Sequence, residues 1–144
     1  MNRTFTKLLV LVLLVITTFS ACTKNNDVLA ITKDNLVGTY TIISVKAKAA
    51  GTVEQDVTSD NYEPCEMDDQ VVLKSDLTAT YVDAGTQCVP AGAGSDYWSV
   101  NGNILTIAGN DFTVRSLTRS TLVYEQITNV SGFVVTITST FRRY

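Results

Sequence analysis

The chain of 144 residues predicts an all-β fold, an eight-stranded antiparallel up-and-down β-barrel preceded by a helical signal segment. Three observations carry that expectation. From Leu36 onward, Val, Ile, Thr, Tyr and Phe recur in short runs divided by Gly, Asn, Asp and Ser, the composition of strands and tight turns. Most connections are short, so consecutive runs pair as hairpins. The last run alternates with a period of two, which marks a strand with one buried face. A meander of such strands buries its apolar face and loses its edges by closing on itself. A two-sheet sandwich built from the same strands is the alternative, because pairing alone does not dictate closure.

The first element is not part of that barrel. Arg3 and Lys7 precede an unbroken apolar run, Leu8 to Ile16, which is shorter than the roughly 20 residues that a bilayer span needs. This is the pattern of a secretory signal peptide over residues 1–21. It ends in "FSAC", which resembles a bacterial lipobox. There a peptidase cuts before a cysteine whose thiol carries diacylglycerol, and Phe19 stands where an aliphatic residue is usual. The expectation is lipidation at Cys22 and a membrane link through that anchor, since several acyl chains hold stably where one does not. Thr23, in place of a retention aspartate, points to the outer membrane of a Gram-negative cell envelope. Residues 22–31, "CTKNNDVLAI", are expected as a polar tether, and residues 32–144 as the domain.

Within the domain, "TKDNLVG" is the one helical candidate: Thr32 caps a single turn that Gly38 ends. Strands follow at "GTYTIISVKAK", "QVVLK", "TATYVDA", "DYWSV", "ILTIA", "DFTVRSL", "TLVYEQIT" and "GFVVTITSTFRRY". Asn-Gly in "NGN" is a strong hairpin signal, since both residues tolerate positive φ. In the last strand Phe133, Val135, Ile137 and Phe141 face one way, and Val134, Thr136, Thr138 and Arg142 the other. Phe112 and Val114 are expected on the same inner face, with Tyr40 and Tyr124. These eight residues are the candidate lining of a ligand cavity. Aromatic residues at such positions either fill a core or line a cavity, and the short strands favour filling.

Composition excludes several functions. Of the 11 basic residues, Arg3 and Lys7 belong to the signal segment, which leaves 9 against 14 acidic residues, a net charge of −5. That balance offers no track for a phosphate backbone, so nucleic acid is not an expected partner. The chain has no histidine, which removes Ser-His and Cys-His catalysis and the commonest metal ligand. With Cys22 assigned to lipid, Cys65 and Cys88 remain as an even pair in an exported chain, and a disulfide is expected. Two thiols alone do not make a zinc site.

The run of acidic residues Glu63, Glu66, Asp68 and Asp69 lacks the spacing and glycine of a calcium loop. It is expected as a solvated loop end, with Asp68 capping a turn. No carboxylate pair there has the surroundings of a glycosidase. The loop "GTQCVPAGAG" carries no phosphate-binding pattern and is expected as a rim loop, the best candidate for a lid.

"NLVGTY" resembles the opening L-x-G-x-W of lipocalins, with Tyr40 in place of tryptophan. "CEMDDQVVLKSDLTATYVDAGTQC" is similar to the centre of compact lipocalin-like domains of bacterial lipoproteins. There a cysteine precedes an acidic pair, a strand, a tight turn and a second cysteine. "YWSVNGNILTI", "FTVRSLTRSTLVYEQ" and "TSTFRRY" continue the likeness, although "SDL" departs from the usual Asp-Gly turn. The resemblance covers roughly residues 32–144. It implies a barrel that holds a small hydrophobic ligand without catalysis or cofactor, as a monomeric domain. It also implies an arginine over Tyr40 at the closed end, with Arg142 and Arg143 both placed for it. The alternative is a solid barrel acting as a structural or protein-interaction lipoprotein of the envelope.

Overall fold

The computed structural model describes residues 27–90 and 92–144. Cys22 and the signal segment lie outside the described residues. The order is α1 (Lys33–Leu36), β1 (Gly38–Ala49), β2 (Gln55–Asp56), α2 (Thr58–Asn61), β3 (Gln70–Leu73), β4 (Thr78–Val82), β5 (Gly94–Asn101), β6 (Ile104–Ile107), β7 (Asn110–Leu117), β8 (Thr121–Val130) and β9 (Phe133–Arg143).

Each of the strands β3 to β9 pairs antiparallel with the next, and β9 returns to pair with β1, which also pairs with β3. The result is a closed eight-stranded barrel. The two-residue β2, which the sequence did not predict, adds to the far half of β1 through Lys46↔Asp56 and Ala47↔Gln55. It leads into α2, where Asp56 Oδ1 accepts from the Thr58 amide (2.9 Å) and hydroxyl (2.6 Å). That Asx-type turn competes locally with an extended chain.

Alternation is interrupted twice, and both interruptions matter for packing. The registers of β1 and β7 slip at Ile43 and Arg115, where each strand bulges. The buried residues on either side are therefore three apart, Ile42 with Val45 and Val114 with Leu117, instead of two. Strict alternation would have put Ser44 and Ser116 in the core. The bulges turn them away and increase the local twist that closure requires.

The end of the barrel near α1 is solid. Leu36, Trp98, Leu105 and Leu117 are each at most 2 % exposed there, and the equally buried Tyr40 and Leu73 form its boundary with the other half of the barrel. Thr32 caps α1, its hydroxyl accepting from the Asn35 amide at 3.3 Å. The Tyr40 hydroxyl donates to the Leu36 carbonyl (2.6 Å), and the Trp98 indole to that of Lys74 (3.0 Å). Arg143 is the arginine at this end. It sits opposite Tyr40 in the register and donates to the carbonyls of Val37 (3.0 Å) and Thr118 (3.3 Å), tying α1 to the β7–β8 turn. Arg142 is exposed.

Part of the segment expected as a tether is docked on this same end. Val28 bridges to Thr118, and Leu29 donates to the Leu117 carbonyl at 2.8 Å. Leu29 and Ile31 pack against the core, so apolar burial fixes residues that look polar only as a set.

The hairpin turns also differ in detail from expectation. In "NGN" the two turn residues are Gly102 and Asn103, with Asn101 paired to Ile104, and only Gly102 has positive φ. The β6–β7 turn is Ala108–Gly109, with both residues at positive φ (52° and 79°). That geometry suits Asn-Gly, whereas a Cβ in this region costs alanine about 1–2 kcal/mol. Ala108→Asn should therefore raise the urea midpoint, by a stability gain of about 1 kcal/mol. The "SDL" turn likewise holds Leu77 at φ 69°, and Asp76 Oδ1 accepts from the Thr78 amide (3.0 Å).

Candidate functional site: a two-lobed cavity at the open end

The opposite end is hollow. A lobe of about 170 Å³ lies among β1, β3, β4 and β6 to β9, walled by Leu73, Ile107, Phe112, Leu122, Tyr124 and neighbouring side chains. A second lobe of about 220 Å³ lies beside it, bounded also by Ile42, Gln70, Val82, Glu66, Asp69 and Gly92. The two share Tyr40, Tyr62, Val71, Tyr81 and Phe141, so they lie side by side on common walls.

Register explains why these residues meet. Phe141 stands opposite both Ile42 and Leu122, Val114 opposite Tyr124, Leu105 opposite Phe112, and Val71 opposite both Tyr40 and Tyr81. Cross-strand partners point to the same face, so these paired positions build one wall. Tyr124 is the centre of an aromatic row. Its ring centroid is 4.5 Å from that of Phe112 and 5.1 Å from that of Phe141, both tilted.

Tyr62 comes from outside the barrel. It follows α2 in the long loop between β2 and β3 and packs inward against the core. The loop is held there by the Cys65–Cys88 disulfide, with Cα atoms 5.4 Å apart, which ties it to the loop between β4 and β5. The acidic residues act as caps on that second loop. Asp68 Oδ2 accepts from the Thr86 amide (2.9 Å), Asp69 Oδ1 from that of Ala84 (3.0 Å), and Asp83 Oδ1 from that of Cys88 (3.4 Å). Gly85, at φ 63°, is required on two counts. Its backbone is left-handed, and a Cβ there would collide with the Asp68 carboxylate. The rim loop expected from "GTQCVPAGAG" thus lies at the cavity through Gly92.

Of the eight interior candidates, Tyr40, Phe112, Tyr124 and Phe141 line the cavity. Val114 is 2 % exposed within the solid core. Ile137 packs against that core and Val135 is half-buried. Phe133 corrects the expectation: it is 69 % exposed. The last β1–β9 pair is Ala49↔Val135, so Phe133 lies past the end of β1 on a hairpin that overruns the barrel. Tyr62, Tyr81, Val71, Leu73, Ile107 and Leu122 were not expected as lining residues. Val71 and Tyr81 were legible from alternation in their strands. Tyr62 was legible only as a lone aromatic in a polar loop beside a cysteine.

Burial raises the hydroxyl pKa of four tyrosines at the cavity. For Tyr124 the rise is large, with Tyr62 and Tyr81 adding to it and Ser139 opposing it. Tyr62 is raised by burial, then by the Glu66 carboxylate and Tyr81. Tyr81 is raised by burial and Asp96, and Tyr40 by burial against the opposing pull of Arg143. The folded protein therefore holds protons that the unfolded chain releases near pH 10, and stability must fall as pH rises through that range. Urea midpoints measured from pH 8 to 11 should be flat at first and then decline, and Tyr124→Phe should shallow the decline.

A family model described as a lipocalin-like domain matches residues 36–124, from the end of α1 into β8. No curated protein and no solved structure matches the chain.

Proposed function

The chain belongs to the lipocalin-like domain family, and from that premise we propose that its barrel binds one small, largely apolar ligand in the cell envelope. The observation that carries this reading is the pair of adjoining lobes, walled largely by aromatic and aliphatic side chains and open beside the disulfide-pinned loops. Ligand sites are concave and mostly apolar, with a few polar groups to orient the guest, and here tyrosine hydroxyls supply those groups. Binding without a catalytic step, as a monomer, is part of the same reading.

The test is native mass spectrometry of the intact chain purified from its own envelope. One added small-molecule mass per chain supports binding. Bare protein that also takes up no apolar compound from a library refutes it.

The anchor belongs to the proposal. Lipidation at Cys22 ties the protein to the outer membrane of a Gram-negative cell. Residues 27–31 pack on the closed end, and only residues 22–26 separate them from the lipid. Five residues span at most about 18 Å even when fully extended, which keeps the closed end near the anchoring bilayer. Cys22→Ser should abolish incorporation of labelled palmitate, and a labelled variant would refute the anchor.

A second reading, a barrel that contacts another envelope protein, has one observation in its favour. Ile127, Val130, Phe133 and Val134 stand more than half exposed on the overrunning β8–β9 hairpin. Retention of a partner by the wild type and its loss in Phe133→Ser would support that reading.

A further inference from the structure

The ionisable groups around the cavity are all of one kind. Among the described residues, those lining either lobe are tyrosines and the carboxylates Glu66 and Asp69, and no lysine or arginine lines them. Arg143, the cation nearest Tyr40, is engaged by the Val37 and Thr118 carbonyls at the solid end. Arg115 and Lys46 are paired on the outer surface with Glu125 (2.6 Å) and Glu54 (3.2 Å).

From this lining we infer that the cavity selects a compact organic cation: an ammonium group beside one aromatic or branched apolar body. The inference rests on the binding reading above and names its ligand class. Three features support it. An ammonium over the face of tyrosine or phenylalanine is attracted by the ring quadrupole, and the attraction grows as water is excluded. Tyr62, Tyr81, Phe112, Tyr124 and Phe141 bring five aromatic rings to the first lobe. Glu66 lines the second lobe, close enough to Tyr62 to raise its hydroxyl pKa. A carboxylate ligand would meet the opposite: buried tyrosine faces, the charge of Glu66 and Asp69, and no cation to pair with, which is the costly way to bury a charge. Size sets the other limit. An apolar cavity of about 150 Å³ accepts a benzene ring, so lobes of about 170 and 220 Å³ suit one ring and a small charged head.

The test uses three near-isosteric probes on the intact chain in phosphatidylcholine nanodiscs, read by calorimetry: benzyltrimethylammonium, the neutral neopentylbenzene and the anionic 3-phenylpropionate. The cation should bind about tenfold tighter than the neutral probe, and the anion should not bind. Glu66→Gln keeps the acceptor that holds the Glu63 amide (2.7 Å) and removes only the charge. It should weaken the cation about fivefold and leave the neutral probe unchanged. Equal or tighter binding of the neutral probe, or binding of the anion, overturns the cation inference and leaves the binding reading standing. If none of the three binds and the purified protein carries no small molecule, both fall.

Discussion

Leu105→Ala should lower stability by about 4 kcal/mol, and Leu122→Ala by only about 2 kcal/mol, the upper part and the lower end of the range for such truncations. The two side chains are equally dry, at 0 % and 2 % exposure, so loss of burial alone predicts equal costs. They differ in what lies beside them. Leu105 is enclosed by packed neighbours at the solid end, and its removal opens a new void. Leu122 already borders the first lobe, so part of its surface has no contact to lose. Urea unfolding of both variants at one pH measures the difference. Equal costs would mean that the barrel is packed throughout.

Replacing both Cys65 and Cys88 by alanine should cost about 3 kcal/mol, because the bridge closes a loop spanning 23 positions in the unfolded chain. The effect should be local as well as global. The bridge joins the loop that carries Tyr62 to the loop that carries Gly92, and both bound the cavity. Hydrogen exchange should therefore rise first at the Thr86 and Ala84 amides, which Asp68 and Asp69 hold, while the amides between β8 and β9 stay protected. Uniform loss of protection would show that the bridge stabilises the barrel only through the unfolded state.

The barrel itself was legible in the sequence because period-two alternation is a local signal with a single physical meaning. It put Phe141 and Tyr124 on the inner face, and register then brought them together. The same signal misplaced Phe133, because alternation continues after the covering strand has stopped. Where a hairpin outruns its neighbour depends on the length of β1, not on β9. The bulges at Ile43 and Arg115 were hidden for a related reason. An extra residue is invisible in composition and appears only when two strands are aligned. Tyr62 stands out in its own surroundings only as a lone aromatic, which does not say where it packs. Its burial depends on the disulfide and on the Asp56–Thr58 turn, which act across distances that periodicity does not sample. Residues 27–31 lost their apolar members in a polar average, although Leu29 and Ile31 are the ones that pack.

The proposed binding turns on one property, a largely apolar interior space at the open end that can accept a guest. Dry apolar cavities of this size take up xenon. Crystals of the protein pressurised with xenon measure that property without any choice of ligand chemistry. A xenon atom among Tyr62, Phe112, Tyr124 and Phe141, with the surrounding side chains unmoved, is the predicted result. Side chains collapsed into that volume, with no xenon bound, would contradict it.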